Sequence, residues 1–314
     1  MKKIDVTALG EILIDFTYAG ISDNGARLFQ QNPGGAPANV LAAVQKLGGE
    51  TAFIGKAGND MHGTFLKETL EGIHISAKGL VLDDHCFTTL AFVNLSPSGE
   101  RSFSFARKPG ADTRLDKSEV DFELIKNSKV LHVGSLSLTD EPARSATIAA
   151  LEFAKENGIT ISYDPNYRAM LWKDKEAAIK GMKSILNFVD IIKISDEEIE
   201  LLTDATTPQG AVEELLNQGI SCVIVTLGSE GAYIATKSDA ITIPSVRTSV
   251  VDTTGAGDSF MGGFLFKMTR DNKTARELCA KELKEYGEFA TRVASKCISK
   301  KGAINAMPTL EELI

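Results

Sequence analysis

The chain has 314 residues, 43% hydrophobic and 24% charged, with a formal net charge of −8, a length that suits one large α/β domain or two small ones with ample core. The acidic balance, with no Lys/Arg run interleaved with aromatics, argues against nucleic acid as a partner, and no stretch nears ~18 uninterrupted apolar residues, so no membrane partner is expected. Cys86, Cys222, Cys279 and Cys297 form no CxxC pair, as in a reducing compartment with neither a disulfide framework nor a zinc site.

Short β-branched runs bounded by turn residues alternate with helical patterns almost throughout. Residues 5–10 read as the first strand. The start of the chain carries Asp5, Glu11 and Asp15 and lacks a long apolar core, so it is read as a strand rather than a secretion signal, and the cytoplasm is the expected location. Residues 11–20 continue as a strand with no helix behind them. A helix over 37–47 closes at Gly48, and 51–55 is a strand. Residues 88–107 read as a hairpin with its turn at Pro97, Ser98 and Gly99; Phe103 and Phe105 alternate with Ser102 and Ser104, giving one apolar face.

Further strands fall at 129–134, 159–164, 190–195 and 222–228, with helices at 142–156 and 174–188 between them. Proline at a helix start and glycine just past its end are the expected punctuation. The last third is helical, over 256–268 and 273–299. There Leu278, Leu283, Phe289, Val293 and Ala294 are expected to make core contacts. Strand–helix alternation implies βαβ units and a mostly parallel sheet covered on both faces, a three-layer α/β/α core. The pieces at 11–33 and 86–110 form a small extra sheet within the single domain 1–314. That sheet is open to three readings: a lid, a dimer surface or a decorative hairpin.

Two stretches carry chemistry. In "VDTTGAGDSF", Gly255, Ala256 and Gly257 open a helix, where free backbone N–H groups make an anion pocket. There is no GxxxxGK[ST] and no lysine here; the stretch offers Asp258 instead. A carboxylate at that point is either a helix cap or a base that takes a proton from an attacking hydroxyl while the N–H groups steady a transferring phosphoryl group. In "NPGGAPANV", Gly34 and Gly35 let a ligand approach the backbone, and Asn39 lies in a first helical turn where its amide can read hydroxyls. Asp15 sits on an apolar strand, either on the solvent side or at a ligand.

These motifs resemble both signatures of the ribokinase, or PfkB, family of carbohydrate kinases: Gly34 to Asn39 continuing to Gly55, Gly58, Asp60 and Gly63, and "DTTGAGD" at 252–258. The likeness runs from "LGEILIDF" to "KGAINAMP" and is strongest to the bacterial fructokinase branch, through "GGAPANV", "DPNYRAMLW" and "VTLGSEGAY". The resemblance implies a ribokinase-like fold and ATP-dependent phosphorylation of a small sugar, fructose to fructose 6-phosphate first. A 2-keto-3-deoxygluconate kinase, an aminoimidazole riboside kinase and a non-catalytic regulator are the alternatives. It implies Asp258 as base and the backbone of Gly255, Ala256 and Gly257 as anion hole. Asp15, Gly34, Gly35 and Asn39 match sugar positions, and Asp252 would help hold the sugar or the loop. Arg107 and Arg168 are cationic candidates near the phosphates or the sugar. Lys193, Thr226, Gly228 and Gly231 match nucleotide positions. Glu198 would serve Mg2+ through water, although the Asn usual three residues before it is Ser195 here. Asp252 and Thr254, with carbonyls near Cys297, Lys300, Gly302 and Ala306, match a K+ shell. Apart from the resemblance, the apolar face of the hairpin suggests pairing of two lids into a homodimer.

Overall fold

The computed structural model describes residues 2–95 and 101–313. Its strands are β1 (Ile4–Leu9), β2 (Leu13–Ile21), β3 (Arg27–Gly34), β4 (Thr51–Gly58), β5 (Ser76–Asp83), β6 (Leu90–Leu95), β7 (Arg101–Ala106), β8 (Ser128–Val133), β9 (Thr160–Tyr163), β10 (Ile191–Ser195), β11 (Cys222–Thr226), β12 (Ala232–Ala235) and β13 (Ala240–Ile243). Its helices are α1 (Ala36–Lys46), α2 (Met61–Gly72), α3 (Phe122–Lys126), α4 (Ala143–Glu156), α5 (Lys175–Lys183), α6 (Ile199–Leu202), α7 (Pro208–Asn217), α8 (Ala256–Arg270) and α9 (Ala280–Cys297).

Among the described residues, nine strands make one sheet in the order β13-β12-β11-β10-β9-β8-β1-β4-β5. Every pairing from β11 to β5 is parallel; β12 and β13 are antiparallel additions at one edge. All six short apolar runs expected as buried parallel strands occupy the middle of this sheet. Period-two burial explains the layering. In β11, Cys222 and Ile224 join a core with Leu41 and Phe264, while Val223 and Val225 join the core on the other face with Ala150 and Met182. Helices thus cover both faces of a three-layer α/β/α body. Leu41 is fully buried in the first of these cores.

A second sheet of four strands runs β3-β2-β6-β7. β2 pairs antiparallel with β3 and parallel with β6, and β6 pairs antiparallel with β7. The expected hairpin of 88–107 is therefore present, although its turn at Pro97, Ser98 and Gly99 lies outside the described residues. β3 and β5 were not read from sequence as strands. β3 is exposed over most of its length and polar, and β5 lacks a clean alternation; their pairing is set by neighbours rather than by local pattern.

Some helix bounds also differ. The helix expected over 174–188 stops at Lys183 and resumes as a 3-10 turn at Leu186–Phe188. The final helix starts at Ala280, after a separate 3-10 turn at Ala275–Glu277. Pro142 stands at the N-cap of α4 rather than inside its first turn. Among the described residues no helix is long and apolar enough to cross a membrane.

Candidate active site

Ligands of open α/β sheets gather beyond the carboxyl ends of the strands. Here Glu11 follows β1, Asp164 follows β9, and Ser195 and Thr226 end β10 and β11. Over this edge lies a cavity of about 470 Å3. Leu13, Asp15 and Phe105 of the small sheet wall one side, and the first turns of α1 and α8 supply Asn39 and Asp258.

Asp258 is the third residue of α8 and is buried, 7% exposed. It does not cap its own helix: no side-chain cap bond is made there. Instead its Oδ2 accepts a 2.8 Å hydrogen bond from Nδ2 of Asn39, 219 residues away. Burial pushes its carboxyl up to about 6; the Asp164 charge adds to the rise, while Asn39, Lys193 and Arg168 oppose it. The adjoining Gly255 holds φ at 78°, and a β-carbon there would stand 2.9 Å from that of Ala303, so only glycine makes this turn without strain. Helix first-turn N–H groups lack intrahelical acceptors. The N–H of Ala256 donates to the Thr253 carbonyl at 3.2 Å, so an anion hole here leans on Gly255 and Gly257.

Lys193 is buried beside this turn. Its Nζ is 3.0 Å from where a β-carbon on Gly257 would stand. It pairs with Asp164 Oδ2 at 2.9 Å. Burial works against the ammonium, but Asp164, Glu198 and Asp258 hold its pKa above the ordinary lysine range. Asp15 lines the cavity, which settles its face: burial pushes it to about 6, with Arg168 opposing and Asp258 and Asp252 adding. Arg168 is exposed on the cavity wall. Glu198 is buried; Oε1 accepts from the Tyr167 N–H (2.7 Å), and Oε2 from the Ser195 N–H (2.8 Å) and Oγ (3.1 Å). Ser195 thus takes the capping role beside Glu198.

Other sequence expectations need correction. Arg107 does not line the cavity: its guanidinium donates to Asp112 through Nε (2.8 Å), to Thr139 Oγ1 through Nη1 and to the Leu136 carbonyl through Nη2 (both 2.9 Å). Buried and bonded in this way, Arg107 acts as a structural pin in this structure. The glycine pair also serves a different end. Gly34 lies against the Asp15 carboxylate, and Gly35, at φ 111°, faces the Glu11 carbonyl, 2.5 Å from where its β-carbon would be. The close approach is between segments of the chain itself, although Gly35 also lines the cavity. Asp252 holds the loop: Oδ1 accepts from Thr254 N–H (2.9 Å) and Oγ1 (2.7 Å), and Oδ2 from the Gly302 N–H (3.0 Å).

A second cavity, about 630 Å3, shares Thr226, Thr253, Ala256 and Gly257 with the first. Gly228 and Gly231 line it as expected, whereas Lys193 faces only the first cavity. Its apolar wall of Val246, Val250, Phe260, Ala294 and Ile298 was not read from sequence. Ala294 packs against the core as expected and also stands on this wall. Val246 and Val250, 45% and 60% exposed, are isolated apolar residues in an irregular segment and offered no periodic signal. Asp164, which opens "DPNYR", and Glu11 were missed as well.

The two cavities meet at the glycine turn, with a carboxylate on one side and an apolar slot on the other. A base with a pKa near 6 is ionised at neutral pH and close to the operating range. Turnover per unit substrate, kcat/KM, is therefore expected to be flat above about pH 7 and to fall as pH drops through about 6, where Asp258 and Asp15 take up protons. A pH–rate series from 4.5 to 8.5 checks this; a level profile down to pH 5 would contradict it.

Comparison with known proteins agrees with this geometry. The model of the pfkB family carbohydrate kinases matches residues 3–310. The chain is 43% identical over 307 residues to a probable fructokinase-5 of Arabidopsis thaliana, covering 97% of this chain and 94% of that protein. Among solved structures, a fructokinase of Xylella fastidiosa with bound ATP superposes with a TM-score of 0.90 at 31% identity, covering 100% of this chain and 97% of that one. A fructokinase of Vibrio cholerae bound to fructose, ADP and calcium ion gives 0.90 at 31%, covering 100% and 98%. With a match across nearly its full length and the glycine turn, carboxylate and paired cavities in place, the chain belongs to the pfkB family of carbohydrate kinases.

Proposed function

We propose that this protein transfers the γ-phosphoryl group of ATP in line to a hydroxyl of fructose, giving fructose 6-phosphate, with Asp258 as general base. The observation that carries it is Asp258 held by Asn39 at the glycine turn between the two cavities. The sugar occupies the first cavity under the small sheet, which serves as a lid. There Asn39 Oδ1 and Asp164 Oδ1 are buried without hydrogen-bond partners among the described residues, acceptors that a polyol can satisfy. Asp15 and Arg168 hold further hydroxyls. The nucleotide lies along the second cavity, its phosphates over Thr226, Gly228 and Gly231. Asp258 accepts the hydroxyl proton as the phosphoryl group crosses; Gly255, Gly257 and Lys193 steady its charge. The names of the similar proteins favour fructose. Arg107 is spent internally, which leaves Arg168 as the cavity's exposed arginine and weakens the reading of a carboxylated sugar.

The expected result of a coupled ADP assay with ATP and Mg2+ is turnover with fructose well above that with 2-keto-3-deoxygluconate or aminoimidazole riboside. A preference for either of the latter would replace the substrate, and sugar binding without ADP formation would make the protein a regulator.

Glu198 fits Mg2+ as an outer partner. Both its oxygens already accept protein hydrogen bonds, so it would hold the ion through water, and the ion would neutralise phosphate charge. For K+, Val251 and Asp252 donate to the Ile298 carbonyl and Gly302 to Asp252. This stitching brings Thr254 beside the segment carrying Cys297, Lys300, Gly302 and Ala306, a setting rich in carbonyl oxygen that suits a large monovalent ion.

The small sheet also supports a homodimer. Tyr18, Phe29 and Phe92 are exposed, and Phe92 stacks on Phe16 with centroids 5.3 Å apart. An aromatic cluster of this kind on a surface marks an interface. A mass measurement at micromolar concentration is expected to give a dimer, and Phe92→Asp a monomer; a monomeric parent protein would end this reading. With Cys86, Cys222, Cys279 and Cys297 all free thiols, a reducing, cytoplasmic setting suits the protein.

A further inference from the structure

We propose that Glu11 is a positioning residue for the transfer step: with Arg107 and Asp112 it forms a buried clamp at the root of the small sheet that seats the first turn of α1, and so sets Asn39 against Asp258. The inference rests on the reading of Asp258 as base. Glu11 is 3% exposed and stands just before β2. Its Oε1 accepts a 3.0 Å hydrogen bond from the N–H of Ala36, the first residue of α1. That helix has no side-chain cap from Gly35 and no acid in its first turn. Glu11 therefore supplies, from the segment between β1 and β2, an acceptor that a helix start lacks within its own turn. One turn further on, Asn39 makes its bond to Asp258.

The other strand roots end in the same place. Thr89, just before β6, donates to Asp112 Oδ1 at 2.5 Å, and Arg107, just after β7, donates to Asp112 Oδ2 at 2.8 Å. β3 runs directly into Gly34, Gly35 and Ala36. Asp112 and Arg107 both act electrostatically on Glu11, and burial pushes Glu11 up to about 7. The roots of β2 and β3 are thereby joined to the helix that carries Asn39, and those of β6 and β7 to the buried Arg107–Asp112 pair, whose charges reach Glu11. The clamp explains why Arg107 is buried and paired instead of facing the cavity.

Three single variants and two combinations test this with fructose and ATP: Glu11→Ala, the isosteric Thr89→Val at the far end of the clamp, Asp258→Asn, and each clamp variant added to Asp258→Asn. Thermal melts establish folding. Glu11→Ala is expected to lower kcat about 10- to 100-fold, since a shift of ~1 Å in a reacting group can cost ~10²-fold, with KM for ATP within about twofold. Thr89→Val is expected to show the same pattern at about threefold or more and stands in if Glu11→Ala does not fold. Neither is expected to add a further loss to Asp258→Asn, because a residue that acts through the base has nothing left to position. Unchanged kcat in the folded clamp variants, or full multiplication of losses on the Asp258→Asn background, overturns the inference alone. Normal turnover by Asp258→Asn itself overturns the base reading, and this inference with it.

Discussion

Asp258→Asn is expected to lower kcat by at least ~10²-fold while ATP binding is kept, the usual span for loss of a general base. The change is nearly isosteric and spares the packing of α8. Its amide oxygen can still accept from Nδ2 of Asn39, now at 2.8 Å from the carboxylate, so the first turn stays in place. What disappears is the proton acceptor. Asp258 does not line the apolar second cavity, where the nucleotide is proposed to lie, so affinity for ATP is expected to be kept. Single-turnover rates together with ATP titration check both halves. A variant that turns over at the parent rate would remove Asp258 from the reaction and leave it as a buried packing group.

Lys193→Met is expected to be costly twice over. Lys193 and Asp164 side chains are 5% and 3% exposed, 2.9 Å apart. Removing one member of a buried pair leaves the other charge uncompensated, at about 3–5 kcal/mol of stability. Asp258 would feel that stranded charge too, since Asp164 already raises its pKa. Activity is expected to fall by ~10²-fold or more as well, through loss of a cation beside the anion hole. The stability cost is tested by itself in the double variant Lys193→Met with Asp164→Leu, which also removes the Asp164 oxygen assigned to the sugar. Replacing a buried pair by apolar groups is often neutral for stability, so denaturant unfolding is expected to recover much of the loss while kcat does not. Recovery of both would make the pair purely structural. Retention of parent stability by Lys193→Met alone would overturn the stability half of this prediction.

Much of the molecule was legible in the chain because its signals are local. Short β-branched runs bounded by turn residues specify parallel strands wherever both faces are covered. The turn at Gly255 announces itself because a left-handed residue, a helix start and a carboxylate three residues on are adjacent in sequence. Arg107 shows where local reading fails. An arginine at a strand end looks the same whether it meets a substrate or a buried aspartate, and only the position of Asp112 separates the two. Gly35 shows it again: its missing side chain serves the Glu11 carbonyl, a contact made by the return of β3 alongside β2.

By itself, then, the order of residues determined the layered α/β/α body and the glycine turn with its carboxylate, which depend on periodicity or spacing within a few residues, and, through the resemblance of its motifs, the family. Tertiary structure alone decided which side chains face a ligand. Asn39 meets Asp258 across 219 residues, β2 pairs with β6 in parallel, and the apolar slot forms from Val246, Phe260 and Ala294, which lie far apart in the chain. These are outcomes of burial and charge pairing between distant segments, where the free energy belongs to the contact and neither partner encodes it alone.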